Sequence, residues 1–595
     1  MTSVFAATFH LPPQDLDTPT LFAANRDALA AWLAALPKTN LGQTTRALFD
    51  AVNELNRVRM SPALRLQLLE TLRPAVHAAT GGLRKHYLGH PIQLPEQPQK
   101  VARLAHVLHE QLGTGYILAA AQTVAAGRQS GFSQPQAALA TAAHRAIVEH
   151  SLNLLRDLQL YRDPHPGCWF TIHQLLKFAR EAQVQHSVVS DDQCGDSSVE
   201  AVYLRALLLG GAKTNQLRQE NLDKVFQHAL VWAESTTLTD AATAALVVDP
   251  ASDSGPIYRQ FAKPDNTWYG LDTTRLAQLL SAQHELAEAN ALSDQQLSAD
   301  LLAHLTLTWK GSGVRSHARV EEHEPVEIAI GLTATHHFVS DEVEFGLLLD
   351  ERDRDPLMPK ESNPFLRDKR ERAVKDIWDS THQAGTRTST LALEILDEQP
   401  RVQFQKSGSE RDKLRVQSVE RVNVSLGGLC VMWPPQSPMQ LRTGEIVGIR
   451  ESAQSNWSIG AIRWVQLSEG GPRVGIELLS PAAVPYGARV VAKSGDPGEY
   501  LRALVLPEIR QIGQSTTLIV PRLPFRTGQK VSLLCRGKET RIQLTRKLAS
   551  AAAFSQYEFR RLSTAKTDNA TDSARPAAGA TDRKDSGFDN LWDSL

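Results

Sequence analysis

The first half of the chain repeats apolar residues at the spacing of an α-helix. Between residues 18 and 309, apolar side chains recur three or four positions apart, and the runs end at prolines or glycines. This pattern predicts helices over residues 21–36, 44–55, 61–73, 101–112, 136–160, 170–184, 199–209, 219–234 and 273–286. Because the breaks are short and no fixed-period motif repeats, we predict an all-α helical bundle or solenoid.

After about residue 310 the apolar period shortens to two, the period of a β-strand. Alternating or strand-like runs lie at 326–332, 422–433, 460–465 and 473–478, and shorter ones follow at 504–506, 517–520, 531–535 and 542–545. The later group contains Phe525-Arg-Thr-Gly528, which repeats Leu441-Arg-Thr-Gly444 of the earlier group. The sequence therefore predicts two small β-domains in succession.

Composition and charge describe a soluble globular protein of several domains. The chain has 595 residues, of which 42% are hydrophobic and 22% charged, and its formal net charge is -1. Such a charge gives no overall attraction to a nucleic acid polymer or an anionic membrane, so any anion site must be local. We expect no nucleic acid partner and no membrane insertion.

The cysteines and the histidines give no sign of a metal site. Cys168, Cys194, Cys430 and Cys535 are dispersed without a C-x-x-C pair, which favours a reducing cytoplasm. His336 and His337 fall in a predicted strand, where alternation would send them to opposite faces. We also find no zinc-protease, P-loop or nucleophile-elbow motif, so we predict neither a metal nor an enzyme.

The strongest candidate site is the stretch Val422-Asn423-Val424-Ser425-Leu426-Gly427-Gly428. Its pattern predicts a strand, a tight polar turn and a second strand, with Asn423 and Ser425 on the same face. That face would offer an amide and a hydroxyl beside a bare backbone, which suits a flat polar ligand. The alternative interpretation is an ordinary hairpin whose Asn and Ser only satisfy the turn.

A second stretch, Arg315-Ser-His-Ala-Arg319, favours the ligand interpretation. Arg315-x-x-x-Arg319 and Asn423-x-Ser425-x-x-Gly428 resemble the two signature motifs of PilZ domains, small β-barrels that bind the bacterial second messenger cyclic di-GMP. The runs at 460–465 and 473–478 resemble the later strands of that barrel. The resemblance covers about a third of the chain, roughly residues 310 to 490.

The resemblance implies a fold and a ligand site. The fold class is α+β multidomain: an N-terminal all-α bundle or solenoid, a PilZ-like β-barrel and a second small β-barrel without ligand motifs. The ligand would be cyclic di-GMP, bound by Arg315, Arg319, Asn423, Ser425 and Gly428. The implied function is a cytoplasmic receptor that couples ligand binding to a helical partner-binding region and regulates motility, pili or biofilm behaviour.

The spacing of the motifs leaves two alternatives open. The signature motifs normally lie a short strand apart, but here a long insert separates them, and Arg411-x-x-x-Arg415 lies closer to Asn423. If the insert holds Arg315 and Arg319 away from Asn423, the protein would be an adaptor whose degenerate barrel binds no nucleotide. We expect an unidentified protein partner at the helical region or the C-terminal tail.

The expected domain boundaries follow from these patterns. We place a helical domain at 1–305, the PilZ-like barrel at 306–495 with a charged insert at about 341–399, and a small β-domain at 496–562. The Ala/Thr/Asp-rich segment 563–595 is expected to be disordered.

Overall fold

A computed structural model describes residues 9, 11–126, 135–289, 297–311, 319–350, 414–425, 427–434, 441–452, 455–491, 498–509, 514–551 and 553–562. Arg315, Arg411, the expected disordered tail and the charged insert from residue 351 onward lie outside the described residues.

The N-terminal region is built from packed helices, which confirms the predicted architecture. They are α1 (Arg26–Ala35), α2 (Leu41–Arg57), α3 (Pro62–Leu83), α4 (Glu96–Ala126), α5 (Pro135–Gln159), α6 (Cys168–Glu181), α7 (Val199–Gly210), α8 (Gln219–Trp232), α9 (Thr274–Ala289) and α10 (Ala299–Trp309). The prediction that α3 stops before Pro74 is wrong. It continues because Leu72 and Val76, on either side of that proline, are fully buried in the helical core, and their burial outweighs the lost backbone bond.

Short strands interrupt the helices, and the apolar pattern did not predict them. A two-stranded ribbon joins β1 (Val188–Val189) to β2 (Ser197–Ser198). A four-stranded antiparallel sheet has the order β3-β6-β4-β5, formed by β3 (Thr237–Asp240), β4 (Leu246–Val248), β5 (Ile257–Tyr258) and β6 (Tyr269–Asp272). These strands have two to four residues, too few for an alternating pattern to stand out.

A buried ionic network joins three helices of this region. The Glu149 carboxylate is fully buried and contacts Arg73 Nε at 2.9 Å, His77 Nε2 at 2.8 Å and His109 Nδ1 at 2.6 Å. Arg73 also donates to both carboxylate oxygens of Asp191, from Nη1 at 2.7 Å and from Nη2 at 3.0 Å. Burial acts to raise the pKa of Glu149, but its contacts with His77 and His109 hold that pKa well below the usual value.

A six-stranded antiparallel barrel follows. Its strands are β8 (Pro325–Ile330), β9 (Val416–Ser425), β10 (Gly428–Met432), β11 (Ile446–Arg450), β12 (Ser458–Ser468) and β13 (Gly471–Ser480). They pair in the order β10-β13-β12-β11-β8-β9, and β9 closes the ring onto β10. A two-residue strand, β7 (Val320–Glu321), is added to β9 outside the ring. Val326, Val431 and Val474 are among the inward residues that fill the core.

The two consecutive histidines do not lie in a strand, so that prediction is wrong. They belong to helix α11 (Gly331–Val339), which begins where Gly331 adopts a φ of +86° and ends β8. His336 is fully buried, and its Nε2 lies 3.1 Å from the carbonyl oxygen of Tyr486. Helix α12 (Phe345–Asp350) follows, and its Phe345 ring packs edge-on against His336.

The C-terminal β-domain is a second closed barrel, with strand order β14-β15-β16-β19-β18-β17. Its strands are β14 (Val484–Val490), β15 (Leu501–Leu506), β16 (Thr517–Pro521), β17 (Lys530–Cys535), β18 (Lys538–Ser550) and β19 (Phe554–Arg561). The boundary between the two β-domains was expected near residue 496, after β14. Strand β14 nevertheless belongs to the second barrel, because it pairs with β15 and β17 and not with the first barrel.

The two barrels share the turn whose repetition is visible in the sequence. Gly444 and Gly528 adopt φ values of +76° and +86°, in the left-handed region that glycine tolerates. Their N–H groups donate to the carbonyls of Ile462 at 2.7 Å and Leu544 at 2.8 Å. In each barrel the turn thus fixes the start of one strand against the strand paired with it.

The helical region and the barrels are in direct contact. Leu467 N–H of β12 donates to Tyr161 O at 2.7 Å, and Arg218 Nε donates to Thr443 O at 3.0 Å. The barrels meet across a mixed hydrophobic cluster that includes Ile446 and Leu504. No helix in the described part of the chain is both long enough and apolar enough to cross a membrane.

A fully buried imidazole makes the stability of the helical region sensitive to pH. His150 lies on α5, and its ring faces Gly113 of α4. Burial lowers its pKa to about 4, and His165 acts in the same direction. Below about pH 6.5 this histidine is therefore protonated in the unfolded chain but neutral in the folded chain. The free energy of unfolding falls as the pH falls toward 4.

We expect His150→Leu to lessen the destabilisation of the protein on going from pH 7.5 to pH 5. The difference should be about 2 kcal/mol, since the unfolded chain no longer gains a proton at this position. Urea unfolding of the full chain, followed by tryptophan fluorescence at both pH values, measures it. His186→Leu, at an exposed position, is the matched control. An equal loss in wild type and His150→Leu would contradict the prediction.

Candidate functional site

The predicted polar turn is a hairpin between β9 and β10. Ser425 pairs with Gly428, Val424 with Leu429 and Asn423 with Cys430. Val424 and Leu429 face the barrel core, so the alternation of a strand places Asn423 and Ser425 on the outer face. Ser425 Oγ donates to Gly428 O at 3.1 Å.

Strand β7 brings Arg319 to this hairpin although the two are far apart in the sequence. Val320 pairs with Val424 and Glu321 with Asn423, so the preceding residue, Arg319, lies at the level of Ser425. Arg319 is exposed. Burial raises the pKa of the Cys430 thiol, and the charge of Arg319 opposes that rise. Arg319 therefore lies beside the outer face that carries Asn423 and Ser425.

The competing arginine motif is only partly visible. Arg411 is outside the described residues, whereas Arg415 is exposed and directly precedes β9. Asn423 is eight residues further along the strand, a distance of roughly 26 Å at about 3.3 Å per residue. Of the arginines that the structure describes in the two motifs, Arg319 is the one near the hairpin.

Gly428 is required by the barrel itself. A Cβ atom at this position would overlap the backbone carbonyl oxygen of Ile476 on the neighbouring strand. The resemblance implies that this glycine leaves room for a ligand; in the structure it also allows the close packing of β10 on β13. The two roles are compatible, because a bare backbone also leaves the outer face open.

Two β-bulges shape the rest of the outer face. Pairing shifts register between Cys430 and Val431 and between Ile462 and Trp464, and a bulge re-aims the neighbouring side chains. Gly475 pairs with Cys430 on the neighbouring strand. The Trp464 indole covers Gly475 so closely that a Cβ atom at this position would overlap it. The face thus combines an amide, a hydroxyl and an aromatic ring.

The sequence patterns gave no indication of the role of Arg421, a buried residue two positions before Asn423. Its side chain is only 6% exposed and forms ion pairs with Glu322 at 2.9 Å, Glu324 at 3.0 Å and Glu451 at 2.8 Å. Glu322 and Glu324 belong to the segment between β7 and β8, so Arg421 holds β7 against β9 and positions Arg319. The acidic run that follows Val320 was the available signal for such a partner.

Three family models match the chain in succession. Residues 27–243 match the N-terminal domain of the cyclic-di-GMP receptor FimW, residues 245–485 match its middle PilZ domain, and residues 486–562 match the FimW C-terminal β-barrel domain. The matched domains follow the order of the helical region and the two barrels.

A curated relative covers almost the whole chain. The cyclic-di-GMP receptor FimW of Pseudomonas aeruginosa (strain PAO1) is 33% identical, over 95% of this chain and 95% of its own length. No solved structure matches the chain. The identity, the coverage and the order of the three domains agree, and the chain belongs to the FimW family.

Proposed function

We propose that this protein is a cyclic di-GMP receptor that binds its ligand on the outer face of the first barrel. The observation that carries the proposal is the pairing of β7 with β9, which brings Arg319 level with Ser425 across the long insert. The PilZ model over residues 245–485 and the name of the Pseudomonas aeruginosa relative support it.

The ligand chemistry fits the side chains on this face. Cyclic di-GMP presents two phosphates and two guanines, and an arginine fork bonds phosphate oxygens or guanine O6 and N7 bidentately. We assign that role to Arg319 and Arg315. The Asn423 oxygen accepts from guanine N1–H or N2–H, and the Ser425 hydroxyl bonds base or phosphate. The Trp464 ring offers a stacking surface at the same height.

Ligand binding on this face would reach the helical region through β12. That strand carries Trp464 on the outer face and, a few residues further, Gln466 and Leu467. The Gln466 amide donates to Asp163 at 3.1 Å and Leu467 N–H donates to Tyr161 O at 2.7 Å. A ligand that repositions Trp464 therefore acts on the strand that holds the helical region. We propose that this junction relays binding to a protein partner.

The adaptor alternative is not favoured by this geometry. It required the insert to keep the arginine joint away from Asn423, whereas β7 runs alongside the hairpin. We place the receptor in the cytoplasm, since none of its four cysteines forms a disulfide, as suits a reducing compartment.

Isothermal titration of the purified full-length chain with cyclic di-GMP tests the proposal. We expect saturable heat that a linear guanine dinucleotide does not reproduce at the same concentration. The absence of heat and of competition at tens of micromolar ligand, in low salt, would overturn the assignment as a receptor.

Asn423→Ala should weaken cyclic di-GMP binding by about 1–3 kcal/mol, roughly five- to a hundred-fold, because guanine donors then face an unpartnered site. Asn423→Asp should retain binding, since a carboxylate accepts the same protons. Titration of both variants measures the change, and Ser418→Ala, at an exposed position on the same strand, is the control. Unchanged affinity in a folded Asn423→Ala protein would reduce the motif to a turn.

Arg319→Ala should cost about 1.5–3 kcal/mol of binding free energy, the loss of a charge-assisted bond, or roughly ten- to a hundred-fold in affinity. Arg415→Ala removes the same charge at the far end of β9 and should change affinity by less than about threefold. Parallel titrations of the two variants rank them. The reverse ranking would move the arginine contact to the segment just before β9.

A further inference from the structure

Three side chains of metal-binding type meet in the helical region, away from the barrel face. They are His106 on α4, Asp157 on α5 and His165 in the loop that follows α5. Their ligand atoms all lie within 4.8 Å of one another. His165 Nδ1 is 3.0 Å from Asp157 Oδ2, and the His106 and His165 rings meet edge to face with centroids 4.2 Å apart.

The backbone around the three side chains is fixed by further hydrogen bonds. The Asn153 amide on α5 donates to His106 O at 3.0 Å, which sets the level of α4 against α5. His165 N–H donates to Asp157 Oδ2 at 3.1 Å, which anchors the loop. Sites held on rigid elements in this way need little rearrangement to bind a ligand.

We propose that His106, Asp157 and His165 bind a divalent transition metal ion of the zinc type. Two imidazole nitrogens and one carboxylate oxygen are the donors that such ions prefer, and bond lengths of about 2.0–2.2 Å place ligand atoms roughly 3.3 Å apart. The His165–Asp157 distance already has this value within a few tenths of an ångström, and a small rotation would bring in His106. All three residues are partly exposed, so solvent reaches the remaining coordination positions.

A buried histidine with unpartnered ring nitrogens lies beside this cluster. His150 lies close enough to interact electrostatically with His165, and neither of its buried nitrogens has a hydrogen-bond partner in the described part of the chain. Buried polar atoms without a hydrogen-bond partner are rare in folded proteins, and a bound ligand is one explanation for them.

The other cluster of this kind does not suit a cation. His77, His109 and Glu149 also lie within range of one another. Arg73, however, donates to the Glu149 carboxylate at 2.9 Å and occupies it with a positive charge. A metal there would have to displace a buried guanidinium, which is costly.

A metal at His106, Asp157 and His165 would act on the junction with the first barrel. The loop that carries His165 also carries Asp163, which receives the Gln466 amide, and it follows Tyr161, which receives Leu467 N–H. Tying this loop to α4 and α5 would stiffen the contact between the helical region and β12. The site is independent of cyclic di-GMP and is tested by metal binding alone.

The experiment titrates the EDTA-stripped full-length chain with ZnCl2 at neutral pH by calorimetry. We expect one equivalent of Zn²⁺ at this site. His106→Gln and Asp157→Asn should each weaken that binding at least roughly tenfold. Asn at position 157 keeps an acceptor for His165 N–H, so the loop should remain in place, and circular dichroism checks the fold of each variant.

Two controls decide where the metal binds. His77→Gln removes a ligand of the other cluster, and His186→Gln removes an exposed histidine that pairs with Glu200. Both should bind Zn²⁺ like the wild type. No zinc binding by the wild-type chain, equal binding by all variants, or a loss confined to His77→Gln would each overturn the proposal.

Discussion

A single buried guanidinium ties the segment after β7 to the first barrel. Arg421 forms ion pairs with three carboxylates, two from the segment after β7 and one from Glu451, which directly follows β11. A charge buried to this extent is costly unless it is paired, so these ion pairs stabilise the contact between β9 and the segment after β7. Strand β7 has only two residues and would be marginal as an isolated addition to a sheet. Arg421 therefore helps the pairing of β7 with β9 to hold Arg319 beside the hairpin.

The same barrel has irregular strands along this outer face. Bulges lie in β9 and β12, on either side of the row that contains Asn423, Cys430, Gly475 and Trp464. Glycines at 428 and 475 stand where any side chain would meet a neighbouring strand or the indole. Regular alternation alone would not place an amide, a hydroxyl and an aromatic ring on one small outer patch, and the bulges supply the change of direction.

Contacts between the domains give this patch a route to the rest of the molecule. Strand β12 contributes to the outer face at Trp464 and to the helical junction three residues later. Helix α11 lies between the barrels, with His336 buried against Tyr486 of the second one. Packed interfaces shift between discrete arrangements rather than deforming smoothly, so under the proposed binding mode a ligand near Trp464 would favour one packing of the helical region against β12.

The spacing of apolar residues along the chain determined the helices, the two β-domains and the hairpin. Helices and strands have periods of 3.6 and 2 residues because of backbone geometry, and these periods can be recognised in the sequence. It also placed Asn423 and Ser425 on one face of β9 and identified the repeated turn at Gly444 and Gly528. Local pattern could not reveal β7, whose two residues carry no period, or Arg421, whose partners lie in other elements. Only the tertiary structure decided that Arg319 lies beside Ser425, and that His106, Asp157 and His165 meet. Strand register and helix packing join residues far apart in the chain, and those pairings depend on the packing of the whole molecule.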